Sequence, residues 1–313
     1  MKYILKKAVM MILTLFVVSI LVFLAFNLIP GDPAARKLGT EATPAQLENL
    51  REEMGLNDPL VVRYLRWAGG FVKGDMGDSY TYGPVEKLIA DKVPITITLA
   101  LMAFVIMTII SIPLGIYAAR NKGGFIDRII VVTDQVVMSV PPFFAGILIT
   151  LIFGLILKLF VPGKFVSYNR DPAGFFAYLL FPAIAIALPK SAMTVKLLRG
   201  SVIEEIGRDY ARTAYSRGND TRQVLYRHIL KNAMIPVVTF MGMALADMVS
   251  GSIVIEQVFN IPGLGRMLLT SINNRDYPVV EAIIMGISIM VMTVNFMVDV
   301  IYRIIDPRID AVD

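Results

Sequence analysis

Residues 200–236 read GSVIEEIGRDYARTAYSRGNDTRQVLYRHILKNAMIP, a charged stretch between two hydrophobic runs. Ser201 and Glu204 have the spacing of a capping box, so a helix is expected to begin just after Gly200, which is interpreted as a helix breaker. Gly218 is expected to end this helix, because glycine readily adopts the left-handed conformation of a helix C-terminus. The stretch therefore predicts a helix, a glycine turn and a second helix.

The second helix of this stretch is predicted to start at another capping box, formed by Asp220 and Gln223. Along the first helix, an apolar set and a polar set each recur every four residues: Val202, Ile206, Tyr210 and Ala214, and Glu204, Arg208, Arg212 and Ser216. The stretch is either a charged connector held in the cytoplasm or an exposed amphipathic helix that fits a groove on a partner. We favour the groove, because such a loop offers no core for apolar side chains such as Ala211 and Tyr215.

A specific order of residues marks this stretch: Asp209-Tyr210-Ala211-Arg212-Thr213-Ala214, then Arg217-Gly218, His228, Asn232-Ala233 and Pro236. It resembles the cytoplasmic EAA loop of ABC importer permeases, in which a short coupling helix sits in a cleft of the ATPase subunit. Alignment on Gly218 places Arg212, Thr213 and Ala214 on the Glu-Ala-Ala of the general motif. Arginine at that first position is usual in the peptide and nickel branch of the family.

The resemblance implies that the first helix couples the chain to an ATPase. The residues that it assigns to coupling are Arg208, Asp209, Tyr210, Ala211, Arg212, Thr213, Ala214, Arg217 and Gly218. From the stripe geometry, Tyr210, Ala211 and Ala214 are predicted to fill the groove of the ATPase. The arginines of the set are predicted to make polar contacts at the rim of that groove.

The composition indicates a membrane protein. Hydrophobic residues make up 56% of the chain and charged residues 18%, and the mean hydropathy is +0.66. The absence of cysteine excludes a disulfide framework, a thiolate nucleophile and a cysteine-ligated zinc ion. Basic loops beside hydrophobic spans explain the formal net charge of +5, so we expect no nucleic-acid partner.

Six hydrophobic spans are predicted, at 8–30, 94–118, 129–160, 176–198, 233–256 and 281–304. The third is longer than one crossing requires, so a tilt or a kink at Pro141 and Pro142 is expected. The first run lacks a small-residue cleavage site and is therefore expected to remain as a span. Basic residues cluster at the amino terminus, between the second and third spans, and in the 200–232 loop, which places both termini in the cytoplasm. The predicted fold class is an all-α polytopic membrane protein.

Three units are predicted along the chain: a first transmembrane helix at 1–30, an extracytoplasmic helical segment at 31–92, and a permease core at 93–306 that contains the 200–232 loop. In the outer segment, Thr43 and Gln46 predict a capping box, and Gly55 is expected to end the helix that begins there. The segment is too small to bury much core of its own. We therefore expect a helical cap on the outer face of the spans.

Two further blocks carry a resemblance: Leu28-Ile29-Pro30-Gly31-Asp32-Pro33 with Gly74-Asp75-x-Gly77-x-Ser79, and Glu256-x-x-Phe259-x-x-Pro262-Gly263-Leu264-Gly265 with Asn274-Arg275-Asp276-Tyr277-Pro278. Both resemble the B-type permease of dipeptide and oligopeptide importers. Together with the 200–232 loop, the resemblance spans nearly the whole chain. It implies the type I importer permease architecture, alternating access, and a place in the prokaryotic inner membrane.

The resemblance also implies partners. They are a second permease subunit of the C type, two ABC ATPase subunits that hold ATP and Mg²⁺, an external substrate-binding protein, and the lipid bilayer. The chain would then form half of a translocation pore for di- or oligopeptides. Within the same class, a nickel, metallophore or glutathione importer remains an alternative. From a different class, an ATP-independent secondary transporter would usually show repeated halves, which we do not find in the sequence.

The sequence lacks the motifs of nucleotide chemistry, since no glycine-rich loop ends in Gly-Lys-Ser/Thr. His228 is the only histidine, so we expect neither a metal site nor a histidine-activated nucleophile. The chain is therefore predicted not to be an enzyme and to bind no cofactor itself. Any ATP would be hydrolysed by a partner subunit.

Three acidic residues inside the predicted spans, Asp134, Asp247 and Glu256, are predicted to line the translocation path. An ionisable side chain at the bilayer centre costs about 2.5–3.5 kcal/mol unless it faces a cavity or a partner. Asp247 lies among small residues, and we hypothesise that it attracts a cationic group such as a peptide amino terminus. The alternative is a buried, hydrogen-bonded packing residue. Lys190 is expected near a span end, where its long side chain can reach the interface.

Overall fold

The computed structural model describes residues 2–29, 31–39 and 42–305 of the 313-residue chain. Pro30 of the predicted outer motif, Met1, and the residues after Ile305 lie outside the described residues, as do both termini that were predicted to be cytoplasmic. Within the described ranges, the structure is helical apart from one two-stranded antiparallel ribbon. The predicted all-α class is therefore confirmed.

The amino-terminal part contains one long helix followed by short elements. They are α1 (Lys2–Asn27), α2 (Pro33–Leu38), α3 (Pro44–Glu53), α4 (Leu60–Val72), β1 (Asp78–Ser79), β2 (Gly83–Pro84) and α5 (Val85–Ala90). The predicted start of α3 is confirmed, because Thr43 and Gln46 form a capping box. The predicted end is confirmed as well, since Gly55 follows the helix with a φ of +64°.

The rest of the chain forms the helical core. Its elements are α6 (Val93–Arg120), α7 (Phe125–Ser139), α8 (Pro142–Ile149) with a π-helical extension (Thr150–Ile156), α9 (Pro172–Ile206), α10 (Asp209–Ser216), α11 (Thr221–Gln223) with a second π-helical extension (Val224–Ile229), α12 (Leu230–Val258), α13 (Leu264–Asn273) and α14 (Tyr277–Ile305). The predicted capping box of Asp220 and Gln223 begins α11.

Among the described residues, five helical segments are long and apolar enough to cross a membrane: Tyr3–Asn27, Val85–Arg120, Pro172–Ile206, Thr221–Val258 and Tyr277–Ile301. The pair of α7 and extended α8 supplies a sixth span if its two arms are taken together. Each of these segments is long enough to cross the ~30 Å hydrocarbon layer. The fold is thus a polytopic bundle with five or six spans.

The third predicted span, 129–160, is not one straight helix. α7 and extended α8 are bent by 101° at the break between them. Val140 has an extended backbone (φ −88°, ψ 119°), as expected for a residue whose helical conformation clashes with the ring of a following proline. The sequence therefore located the kink at Pro141 and Pro142 correctly. The two arms count as one crossing only if they are taken together, so the single span at 129–160 stays a prediction.

The core of the bundle is built from α6, α9 and α12, which pack against one another. Small residues are frequent on the buried surfaces: Ala103 on α6, Ala183 and Ala187 on α9 and Ala244 on α12 are all enclosed. At Gly115, α6 and α9 approach each other so closely that an added Cβ would lie 2.9 Å from the Leu198 side chain. Small side chains of this kind let membrane helices approach closely, since lipid gives no hydrophobic drive for their association.

The outer segment is anchored to the ends of α1 and α14. The hydroxyl groups of Ser19 on α1 and Tyr64 on α4 lie 2.8 Å apart, and the ring of Phe23 lies 5.5 Å from that of Tyr64. Just before α14, the Asp276 carboxylate accepts a hydrogen bond of 3.1 Å from the Tyr80 amide. The segment thus depends on these two helices, as expected for a cap without a large core of its own.

The predicted start of a helix just after Gly200 is wrong. α9 continues through Gly200 to Ile206, so Ser201 lies inside the helix and caps nothing. A glycine inside a helix costs about 0.5–1 kcal/mol relative to alanine. Leu198 and Val202, on either side of Gly200, are fully buried, and each such burial contributes about 1.5–3 kcal/mol. Packing therefore outweighs the local preference of glycine.

Candidate functional site

A short helix, α10, follows α9 after a sharp break. Gly207 ends α9, Arg208 has an extended backbone (φ −73°, ψ 151°), and α10 begins at Asp209, whose charge suits the positive end of the helix dipole. At the other end Gly218 has a φ of +83°, which confirms its predicted turn, and the Asn219 side chain donates to a carbonyl oxygen in the last turn of α10 at 2.9 Å. Both ends of α10 are therefore fixed.

Two alanines seat α10 on the rest of the chain. Ala211 is fully buried and Ala214 is 5% exposed. They belong to the same buried cluster as Val224, Leu225 and Ile229 of the π-helical extension that leads into α12. α10 also contacts α9. A force on α10 would therefore reach the adjoining ends of both α9 and α12.

The prediction that Tyr210, Ala211 and Ala214 fill a groove on another protein does not hold for the two alanines, because both are buried within this chain. Sequence analysis missed the core that buries them. The signal was present as the apolar set Val224, Leu225 and Ile229, whose spacing suits one face of a helix.

The opposite face of α10 and its flanks is exposed and mainly polar. It consists of Arg208, Asp209, Tyr210, Arg212, Thr213, Tyr215, Ser216, Arg217 and Gly218. Arg208 pairs with Glu204 at 2.7 Å, and Arg212 pairs with Asp209 at 3.9 Å. Exposed ion pairs contribute about 0–1 kcal/mol, so these side chains can exchange their partners for those of another protein at low cost.

Tyr210 lies at the edge between the buried face of α10, which contains Ala211 and Ala214, and the exposed face. Its hydroxyl donates a hydrogen bond to the Glu205 carboxylate. Partial burial, together with this bond, raises the pKa of Tyr210 above its ordinary value. The bond links α10 to the end of α9.

A largely buried ion pair between α7 and α9 was missed by sequence analysis. The Arg199 guanidinium on α9 donates to both oxygens of Asp127 on α7, at 2.6 and 2.8 Å, and the Gly123 amide donates to the same carboxylate at 2.8 Å. Asp127 is 2% exposed. Bidentate pairs of this kind are geometrically specific. The pair fixes the connector between α6 and α7 to the helix that leads into α10.

Glu256 is an internal cap in this structure. Its carboxylate accepts bonds from the Thr96 hydroxyl at 2.6 Å and from the amides of Gly265 and Arg266 at 2.7 and 3.1 Å. The side chain is fully buried. It thus joins α6, α12 and the amino-terminal turn of α13. The prediction that Glu256 lines a path does not hold, because no part of its side chain is accessible.

The glycines that follow Glu256 make this arrangement possible. A Cβ at Gly263 would lie 2.4 Å from the Glu256 carboxyl carbon, and a Cβ at Gly265 would lie 2.2 Å from the Cα of Ile253. Both distances are far below van der Waals contact. The Pro-Gly-Leu-Gly block therefore reflects close packing around one carboxylate.

Asp247 is exposed and paired across helices. Its carboxylate lies 2.7 Å from the Lys190 ammonium, and its side chain is 64% exposed against 31% for Lys190. Lys190 lies near the middle of α9, so the prediction that it lies near a span end is wrong. Asp134 is half-buried on α7, and its place on a path stays a prediction.

The structure is a bundle of membrane-length helices with a short amphipathic helix, α10, between two of the spans. The chain belongs to the family described as "binding-protein-dependent transport system inner membrane component", whose model matches residues 111–311, and a model for the amino-terminal part of such components matches residues 1–100. It is therefore a multi-pass inner-membrane permease component and not itself an enzyme. The predicted family and location are confirmed.

Similar proteins match nearly end to end. A probable peptide ABC transporter permease from Sinorhizobium fredii is 36% identical over 308 residues, which cover 98% of each chain. The oligopeptide transport system permease AppB of Bacillus subtilis is 33% identical over 98% of this chain and 99% of its own. The glutathione transport system permease GsiC of Escherichia coli is 35% identical over 99% of each.

Proposed function

We propose that the chain is a permease subunit of an ATP-driven importer for di- or oligopeptides and forms half of its translocation pore. The proposal is supported by the names of the similar proteins, of which two specify peptides and one glutathione. Glutathione is itself a short peptide with charged ends, so a glutathione importer is the second candidate. The two candidate functions therefore concern substrates of the same chemical class, short peptides with charged ends.

The proposed assembly contains a second permease subunit, two ATPase subunits that bind ATP and Mg²⁺, and an external binding protein that delivers the peptide. This chain supplies no nucleotide chemistry of its own, in keeping with the motifs missing from its sequence. Its task is to convert closure of the ATPases into a change of access.

The coupling step of this proposal takes place at α10. Its exposed face, with Arg212, Thr213, Tyr215 and Ser216, fits into a cleft of an ATPase subunit, and its buried alanines hold it on α9 and the start of α12. When the ATPases close, they pull α10, and the spans move as rigid bodies to change access. The observation that carries the proposal is this division of α10 into a seated face and a free face.

The test is co-purification of the tagged chain with its ATPase subunits. An Arg212→Glu/Tyr215→Ala variant alters only exposed side chains, so it should keep the thermal midpoint of the wild-type chain and lose the ATPases. Tyr82→Ala is the matched control, because Tyr82 is also exposed but lies in the outer segment. It should retain the ATPases.

Retention of the ATPases by the Arg212→Glu/Tyr215→Ala variant would contradict the role of α10. A wild-type chain that purifies alone and transports peptide in liposomes without ATP would replace the proposal with a secondary transporter. Ala211→Glu is not a suitable probe, because a buried charge would disturb the seat of α10 itself.

A further inference from the structure

We infer that the face of α9 and α12 around Lys190 and Asp247 lines a water-filled passage, and that this ion pair contacts the two charged ends of a peptide in transit. The inference rests on the proposed importer function and goes beyond it by naming the side chains that meet the substrate.

The pair lies deep within the spans. Asp247 is about three helical turns from the end of α12, and Lys190 is near the middle of α9. The carboxylate has one described side-chain partner, the Lys190 ammonium at 2.7 Å, and it stays 64% exposed. Lipid tails offer no hydrogen bonds. The exposed side of this pair must therefore meet water or another protein.

The surface next to Asp247 is small and polar, and larger apolar side chains, Met243 and Val254, lie one turn before it and two turns after it on the same face of α12. Ser250 and Gly251 are exposed on the same face of α12, and a Cβ added at Gly251 would meet open space. The exposed surface of α1 differs, because it presents large apolar side chains such as Leu13 and Phe16, which suit lipid. Next to Asp247 there is thus room for a solute, and the exposed charge and hydroxyl group at this level of α12 are unsuited to lipid tails.

The chemistry of the pair matches a peptide with free ends. Without a peptide, the pair carries no net charge, because the Lys190 ammonium binds the Asp247 carboxylate. A peptide can replace this bond with two, since its carboxylate pairs with the Lys190 ammonium and its own ammonium pairs with the Asp247 carboxylate. A single inorganic ion would leave one side chain without a partner. The pair therefore favours zwitterionic peptides.

The first test uses the absence of cysteine from the chain, so an introduced thiol is the only one that it carries. Gly251→Cys reports on the proposed passage. Leu13→Cys on α1 is the control, because Leu13 is also exposed but lies on the surface that presents large apolar side chains to lipid. In the assembled complex, a charged, water-soluble thiol reagent should modify the first at least tenfold faster. Equal rates, or an unreactive Gly251→Cys, would overturn the inference.

The second test asks whether the pair contacts the peptide ends. Uptake of a tripeptide with free ends is compared with uptake of its amidated and its acetylated forms. Lys190→Gln should reduce the preference for the free carboxylate by about tenfold, as for the loss of one charged hydrogen bond. Asp247→Asn should reduce the preference for the free amino terminus by about tenfold. It should leave the preference for the free carboxylate unchanged. The binding protein is common to all variants, so its own preference cancels in these ratios.

The outcomes separate the inference from the proposed function. If both variants lower the uptake of all three peptides equally, the pair is structural and the inference fails, although the importer proposal stands. If the wild-type complex shows no ATP-driven uptake of any of the peptides, the proposed function itself fails. Cysteine reactivity at Gly251 would then still report whether this face meets water.

Discussion

Glu256 and Asp247 are two carboxylates on the same helix, α12, and the structure uses them in opposite ways. Glu256 is fully buried and accepts bonds from two backbone amides and a threonine hydroxyl. Asp247 is mostly exposed and is held by one flexible lysine on a neighbouring helix. Glu256 is enclosed by partners that are fixed in the fold, whereas Asp247 is bound by one side chain that can move away.

The difference between their partners suits Glu256 to stabilising the fold and Asp247 to contacting a transported molecule. Backbone amides are part of the fold, so the bonds of Glu256 last as long as α13 stays in place. A lysine ammonium on a four-carbon stem can move to another anion without unfolding anything. A charged residue within a span is therefore not by itself a sign of a transport site. Its role depends on whether its partners can move away.

The largest effect on stability is expected for Glu256→Ala. The change would leave the Thr96 hydroxyl and the amides of Gly265 and Arg266 without their partner, at about 1–3 kcal/mol for each unpaired buried group. The free energy of unfolding should fall by about 3 kcal/mol or more. Thermal unfolding in detergent would measure this, with Gln257→Ala, an exposed neighbour, as the control. A midpoint equal to that of the control would contradict the internal-cap role of Glu256.

A smaller loss is expected for Gly265→Ala. The new Cβ would lie 2.2 Å from the Cα of Ile253, and a backbone atom cannot move aside as a side chain can. Overpacking of this kind typically costs about 1–3 kcal/mol. Gly251→Ala is the matched control, since its Cβ meets open space and alanine suits a helix better by about 0.5–1 kcal/mol. If both variants were equally stable, the close packing around Glu256 would be in doubt.

Much of the fold could be predicted from local signals. The capping boxes at Thr43 and Asp220 and the turn at Gly218 depend only on neighbouring residues, and all three are present. The break after Ser139 was located for the same reason, because a proline restricts the residue before it. Its angle of 101° was not predicted, since that angle depends on how the two arms pack.

The site was harder to predict because its contacts are distant in sequence. Gly200 looked like a helix end, yet packing of α9 against the core carries the helix through it. The burial of Ala211 depends on the π-helical extension beyond the next turn. The pairs Asp127–Arg199 and Lys190–Asp247 each join different helices. No periodicity within one helix specifies such partners.

The most direct measurement records thermal midpoints and ATP-driven peptide uptake side by side for the Asp247→Asn and Glu256→Ala complexes. Asp247→Asn removes only an exposed ion pair, worth about 0–1 kcal/mol, so its midpoint should stay near that of the wild type while its uptake per assembled complex falls about tenfold. Glu256→Ala should lower the midpoint, and the uptake of its remaining folded complex should stay close to that of the wild type. Asp247→Asn with normal uptake, or with a midpoint as low as that of Glu256→Ala, would contradict the separate roles of the two carboxylates.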